Sequence, residues 1–400
     1  MSIAGILWIL VWAGMFTDIY YVQSPKAFSN FFMFFQASRA LLPILALFIC
    51  LFLLMAVRTR FVLYKTSLSY FIIYCVIGLS ASLFVSPEVV TSLYWGGMFL
   101  SALLVVWLAE SLNEPLVQIG RLMWINCYAC MFVILLTFPQ TINVARGQVP
   151  YTQFYKLPFG FGEMRVNGVG RFALIVAIFA FIQFIHGRRI YKFFWGFFIF
   201  ISLLTLAYTR SRTSLLGLAV VSLLFVFLQG LNLRFLIAGP VAAYILWVSG
   251  YKWRAQEHFE RLLNLTGREY TWERGLEQIQ RSPIFGWGFH ADRLMLDSEH
   301  MHNSYLHSMI QSGILGGLLF AAAILAAWVL IIKNKLIKKA RLLKGEEKNL
   351  FMCSILLLGF LTSRSFFEST AAFYGVDLLV LLPAVSYIFV WAHYHAVDTV

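Results

Sequence analysis

Long apolar runs separated by short polar stretches recur along the whole chain. About twelve of them have the roughly 17–25 residues that a helix needs to cross a hydrocarbon layer. They cover residues 3–21, 38–57, 68–86, 91–109, 121–140, 171–187, 190–209, 213–230, 234–250, 311–332, 349–367 and 376–395. The pattern predicts an all-α, polytopic membrane protein in which residues 1–400 form a single integral membrane domain. The first run has no Lys or Arg before it and no small-residue cleavage pattern after it, so a retained helix is expected there.

Two polar stretches are long. Residues 141–170 contain Gly147, Pro150, Pro158, Gly160, Gly162, Gly168 and Gly170, which predicts a repeatedly bending loop that delivers Arg165 and Arg171 to a helix start. Residues 251–303 form the large loop. In it Trp253, Phe259, Leu262 and Leu263 recur at near-helical spacing, as in an interfacial amphipathic helix. Tyr270, Leu276 and Ile279 then share the face of a second helix, stopped by Pro283. Ser298 is placed to cap a short helix, and Gly313 to break it before the tenth run.

Composition removes the soluble alternative. The chain is 60% hydrophobic and 12% charged with a mean hydropathy of +0.78, more apolar surface than a water-soluble core hides. All five cysteines fall in the runs; Cys127 and Cys130 form a C-x-x-C, read at membrane depth as small apolar helix residues without disulfide or zinc.

The formal net charge of +13 is distributed in a telling way. Short basic loops at Arg58, Arg60 and Lys65, at Arg188, Arg189 and Lys192, and between Lys333 and Lys348 orient the chain with both termini cytoplasmic. They lack the aromatic interleaving of a nucleic-acid surface, so nucleic acid is excluded as a partner. The opposite face should then be poor in basic residues. Instead Arg146, Lys156, Arg165, Arg171, Arg210, Arg212, Lys252, Arg254, Arg261, Arg268, Arg274, Arg281, Arg293 and Arg364 map to it. Any one of these is readily explained by snorkelling or by an ion pair with a loop glutamate. As a set they favour arginine over lysine. Guanidinium forks grip phosphate oxygens in pairs, which points to a diphosphate-bearing ligand on the outer face.

Several short motifs follow one another in the second half of the chain. Arg165 and Gly168 precede one span and T-R-S-R-T at Thr209 to Thr213 precedes another. Then come T-G-R-x-x-x-W at Thr266 to Trp272, P-I-F-G-W-G-F at Pro283 to Phe289, and H-N-S-Y-L with G-I-L-G after it. In order and membrane placement this succession resembles the O-antigen ligase and polymerase superfamily over about residues 165–320. The resemblance implies a C-type glycosyltransferase architecture of about twelve helices in a bacterial inner membrane, with the active site at the periplasmic face. It also implies an undecaprenyl diphosphate-linked glycan as donor and an acceptor glycan or lipid A core as the other substrate. Membrane lipids and a chain-length regulator are the further partners to expect. By position, the functional trio it implies is Arg212, Arg268 and His302. V-G-R-F after Gly168 departs from the superfamily's aromatic-Pro-Asn pattern and leaves Arg165 and Arg171 competing for one phosphate-side role.

The residues support that chemistry independently. A leaving diphosphate needs positive charge, which arginines in a partly dry site supply without a metal or other cofactor. The outer acids are scattered, with Asp292, Asp297 and Glu299 the nearest approach to a metal cluster. An attacking hydroxyl needs a base of near-neutral pKa, and His302 is the first choice for this general base. His300 and His307 are rivals, although on a helix His300 would point away from His302. Arg165, Arg171, Arg210, Asn303, Tyr305 and Trp272 are the candidate contacts to diphosphate or glycan, with a helix-terminus role for Asn303 and an interfacial role for the aromatics as alternatives. The expected reaction is a metal-independent, inverting transfer. Ligation onto lipid A core and polymerisation of repeat units share it, whereas a transporter of lipid-linked sugar would place charge near the midplane, where these runs have almost none.

Overall fold

The computed structural model describes residues 2–15, 30–56, 67–148, 154–156, 163–230, 268–297 and 299–397. The ninth predicted run at 234–250, the amphipathic helix expected from 251 to 263 and Ser298 lie outside the described residues. The helices are α1 (Ile3–Ala13), α2 (Asn30–Ala56), α3 (Ser67–Phe84), α4 (Val89–Ser111), α5 (Pro115–Ala145), α6 (Val166–His186), α7 (Lys192–Thr209) and α8 (Arg212–Gln229). They continue with α9 (Arg268–Arg281), α10 (Ala291–Met295), α11 (Ser304–Lys333), α12 (Leu336–Ala340), α13 (Gly345–Arg364) and α14 (Val376–Val397).

Among the described residues, 8 helices are long and apolar enough to cross a membrane: α3 to α8, α11 and α14. The predicted runs other than the ninth each fall on a helix, but the count of twelve spans is not reached by this measure. Helix α1 and the Leu41–Ala56 part of α2 are shorter apolar helices. Helix α13 carries Glu346, Glu347 and Lys348 in an exposed to half-buried first turn and ends in Arg364, and from Asn349 on it is almost wholly buried.

Helices α2, α4, α5, α6, α11 and α13 begin before the apolar stretches that announced them, because backbone hydrogen bonding continues wherever polar side chains reach the end of the bundle. Helix α6 starts at Val166, so Arg171 sits inside it and not at its start as expected. The loop expected over 141–170 is shortened at its beginning by α5 and contains two strands, β1 (Phe154–Lys156) and β2 (Glu163–Arg165). They pair antiparallel with Tyr155 opposite Met164, and the fully buried Tyr155 packs on Val166 and Val169 at the root of α6.

Helices α3 and α4 pack with α2 and α11 on one side, and α6 packs along α7 and α5 on the other. Helices α13 and α14 run between these groups and are covered on nearly every side. A helix that is apolar all round belongs at such a centre. Short links place the ends of α3, α5, α7 and α13 and the starts of α4, α6, α8, α11 and α14 at one end of the bundle.

Helix α11 is broken inside its first half. Ser312 (φ −131°, ψ 17°) and Gly313 (φ 68°, ψ −177°) are non-helical. The break frees carbonyls that the P-I-F-G-W-G-F turn then satisfies: Trp287 and Gly288 donate backbone N–H to the carbonyls of Ile310 and Gln311, both at 2.9 Å. Ile314 N–H in turn donates to the carbonyl of Pro283 at 2.8 Å. Gly313 therefore breaks the helix as the sequence predicts, and the turn restores the backbone pairing that a buried break would forfeit.

Only glycine enters the backbone region of Gly313, and a Cβ there would lie 2.1 Å from the Ile284 carbonyl oxygen. Gly313→Ala is expected to destabilise the protein by at least about 2–3 kcal/mol, read as a lower apparent melting temperature in detergent. Gly345 has φ +71° with nothing within 4 Å of a Cβ, so Gly345→Ala carries the backbone strain alone. Equal melting shifts for the two variants would remove the clash argument.

Candidate functional site

The polar groups converge at the gathered ends of the helices. Their centre is the link between α13 and α14, residues 365–375, which the chain fixes from several directions. Ser304 Oγ donates to the carbonyls of Glu368 and Thr370, both at 2.9 Å, and its N–H donates to the Ser365 carbonyl at 2.9 Å. Asn303 Nδ2 donates to the Phe366 carbonyl at 3.3 Å, and the Tyr74 hydroxyl reaches the Ala372 carbonyl at 2.8 Å. This pinned link presents Glu368, 8% exposed.

Glu368 bridges two of the sequence-predicted residues. Its Oε2 lies 3.0 Å from His302 Nδ1 and its Oε1 accepts from Arg268 at 3.3 Å. Arg268, the first residue of α9, also donates to the Phe367 carbonyl at 2.7 Å, and Asn167 of α6 reaches Oε1 at 3.5 Å. Burial alone would raise this carboxyl, but the His302 hydrogen bond and the charges of Arg364, His302 and Arg268 outweigh it and hold Glu368 down to about 2. His302 takes a left-handed backbone (φ 47°) just before α11, which turns its ring toward the link. In the neutral ring an Nδ1–H donated to the carboxylate leaves the lone pair on Nε2, and the side chain is 28% exposed.

A second ionic group adjoins the first. Asp377 Oδ2 lies 3.4 Å from Arg171 of α6 and 3.3 Å from Nε of Arg364, whose other end donates to Thr213 Oγ1 at 3.0 Å. All three ionic side chains are largely buried, and two guanidinium groups share one carboxylate. The excess of one positive charge is costly in a low-dielectric site unless an anion joins it.

Thr213 follows Arg212, so the second predicted arginine of the trio sits at the exposed start of α8, one residue from the Arg364 contact. Arg210 precedes it in the left-handed conformation (φ 52°) and is half-buried. The turn carrying both packs on α6: a Cβ on Gly170 would lie 2.7 Å from Ser211 Cβ. Arg165 occupies the exposed N-cap position of α6, its guanidinium 5.8 Å from the Phe154 ring.

The remaining predicted contacts have mainly local partners. Asn303 caps α11, its Oδ1 accepting from the N–H groups of Tyr305 and Leu306 at 3.0 and 3.1 Å. This is the helix-terminus role that the sequence allowed for Asn303. Tyr305 packs on Phe366 and Phe320, and Trp272 donates its indole N–H to the Met301 carbonyl at 2.8 Å, holding the segment that leads into His302. The three acids of the expected near-cluster part company. Asp297 pairs with Arg274 at 2.8 Å, Glu299 accepts from Thr271 at 3.0 Å, and Asp292 turns inward to His300. All five cysteines are free and buried.

One expectation is reversed. Residues 299–303 are not helical, so His300 does not point away from His302; their rings lie 6.0 Å apart, edge to face. Sequence reasoning also missed Glu368 and Asp377, which the two last apolar runs overshadow. Their signal was present, since they are the only acids between Lys348 and Asp398.

The architecture is that of a polytopic membrane protein with a cationic, histidine-bearing site at one end of its helices. Residues 197–321 of this membrane protein match the family model described as O-Antigen ligase, so that segment is similar to the O-antigen ligase family. The matched segment runs from α7 into α11, so it includes Arg210, Arg212, Arg268 and His302 and excludes Arg165, Arg171, Glu368 and Asp377. No curated protein matches the chain.

Proposed function

We propose that the protein is a glycosyltransferase of the O-antigen ligase type, moving a glycan from an undecaprenyl diphosphate donor to a hydroxyl of lipid A core. The site faces the periplasm and both termini are cytoplasmic. The observation that carries this reading is the His302 imidazole held 3.0 Å from a buried carboxylate beside a surplus of arginines. The carboxylate fixes the tautomer that leaves Nε2 as proton acceptor.

The acceptor O–H gives its proton to Nε2 as its oxygen forms a bond to the anomeric carbon. The bond from that carbon to the diphosphate oxygen breaks on the opposite side, and the lipid diphosphate leaves with the electron pair. The anomeric centre inverts. Glu368 stabilises the imidazolium formed, and Arg268 balances Glu368. Arg212 and Arg210 receive the charge developing on the diphosphate. Between the two rivals, Arg165 takes the phosphate-side role, because it is exposed at the start of α6 whereas Arg171 is largely buried beside Asp377. With a second repeat unit as acceptor the same steps give polymerisation, so supplying each acceptor in turn separates ligase from polymerase.

Arg212→Lys tests the reading. The ammonium keeps the charge and loses the paired donors, so transfer is expected to fall about 10- to 100-fold in protein that inserts normally. Wild-type activity in this variant would mean that Arg212 only reaches lipid headgroups.

A further inference from the structure

A second carboxylate and imidazole pair stands beside the first. Asp292 of α10 is 1% exposed, with Oδ2 at 3.0 Å from His300 Nδ1 and 3.3 Å from His307 Nδ1. Burial would raise this carboxyl, but His307, His300 and His290 together hold it well below the usual carboxylate range. His307 is buried on all sides. Gln311 Nε2 lies 2.6 Å from its Nε2 and Gln311 Oε1 accepts from the Tyr74 hydroxyl at 2.6 Å, so both ring nitrogens of His307 are turned to the protein. It reaches no substrate.

His300 differs. Its side chain is 26% exposed, close to the 28% of His302, and its ring is 6.0 Å from that of His302. Each has Nδ1 tied to a buried carboxylate, and among the described residues no group bonds the Nε2 of either. Phe373 supports the ring of His300 on one side, at 5.7 Å. The protein thus holds two imidazoles rigidly in neighbouring positions, and the proposed chemistry uses only one.

We propose that His300, oriented by Asp292, is an acceptor-binding residue: its Nε2 holds a sugar hydroxyl adjacent to the one that His302 deprotonates. This rests on the transferase reading above. A site with two such anchors selects a polyhydroxylated acceptor over water or a simple alcohol, because only a sugar engages both at once. A group built to pair with a hydroxyl discriminates against acceptors that lack it.

Two variants separate this role from simple neutralisation of Asp292. In His300→Asn the amide nitrogen replaces Nδ1, so the Asp292 contact is kept and the outward nitrogen lost. In His300→Gln the amide nitrogen replaces Nε2, with the opposite result. The assay uses the full chain in nanodiscs with an undecaprenyl diphosphate-linked oligosaccharide as donor. Lipid A core and the repeat unit are tested as acceptors, and glycan released to water is counted separately.

For His300→Asn the acceptor KM is expected to rise about tenfold with kcat within about threefold, and the hydrolysed fraction to grow; His300→Gln recovers most of the KM. An unmoved acceptor KM in His300→Asn with a damaged His300→Gln would overturn the proposal, leaving His300 as a partner of Asp292 only. If His300→Asn does not accumulate in membranes, His300→Gln decides: an acceptor KM within about threefold of wild type supports the assignment, and a tenfold rise overturns it. Transfer that survives His302→Asn removes the parent reading and this proposal with it. Dependence on His302 with no effect of His300 on acceptor KM removes this proposal alone.

Discussion

His302→Ala is expected to lower glycan transfer by about 10²- to 10⁴-fold while the protein still inserts and accumulates, because a positioned general base contributes about that much. His302 lies at the surface of the site with its ring 28% exposed, so its removal opens no core cavity. Histidine and asparagine adopt its left-handed backbone (φ 47°) more readily than alanine, so alanine adds strain there. His302→Asn avoids that complication. Asparagine tolerates this conformation, and its amide nitrogen reaches Glu368 as Nδ1 does, yet it offers no proton acceptor. Both variants should therefore be inactive, with the asparagine protein melting closer to wild type. Membrane abundance and transfer to lipid A core are measured side by side. Unimpaired transfer by either normally inserted variant would sink the assignment of His302 as base.

What the sequence disclosed, it disclosed through polarity against an apolar background. The helices were legible because membrane spans tolerate few interruptions, and the excess of outer arginines because charge at the end of a span is costly and noticeable, whereas Arg212, Arg268 and His302 were singled out by the resemblance alone. Depth was less legible. Arg171 follows the glycines of a predicted loop, but α6 had already begun five residues earlier, and its partner Asp377 lies in another run altogether. The pairing could not be read locally, since sequence separation says nothing of which helix ends meet. The same holds for Glu368, which is 66 residues from His302. His300 was misjudged for another reason. A helical spacing was assumed for a segment that is not helical, and the left-handed turn at His302 (φ 47°) brings two rings together that a helix would hold apart.

The second large effect is expected at Glu368. Glu368→Gln is close to isosteric and leaves Arg268 a carbonyl oxygen to bond, yet transfer should fall about 10²- to 10⁴-fold. A glutamine whose amide nitrogen faces Nδ1 favours the tautomer with the proton on Nε2, the nitrogen that must be empty, and it no longer offsets the imidazolium formed as the acceptor loses its proton. Glu368→Asp keeps the charge and shortens the reach, so it should recover part of the rate. A merely structural carboxylate would show the reverse order, with glutamine the milder change. The pH dependence of stability gives a separate reading. Held at about 2 against an ordinary 4.5, Glu368 stabilises the folded state by on the order of 3 kcal/mol, fully above about pH 4.5 and progressively less as pH falls through about 2. Replacing it with glutamine removes that contribution, so the melting temperature of Glu368→Gln should fall less steeply than that of wild type between about pH 4.5 and 2. Parallel acid curves, together with near-normal transfer, would leave Glu368 as a fixture of the link and return His302 to acting without a carboxylate partner.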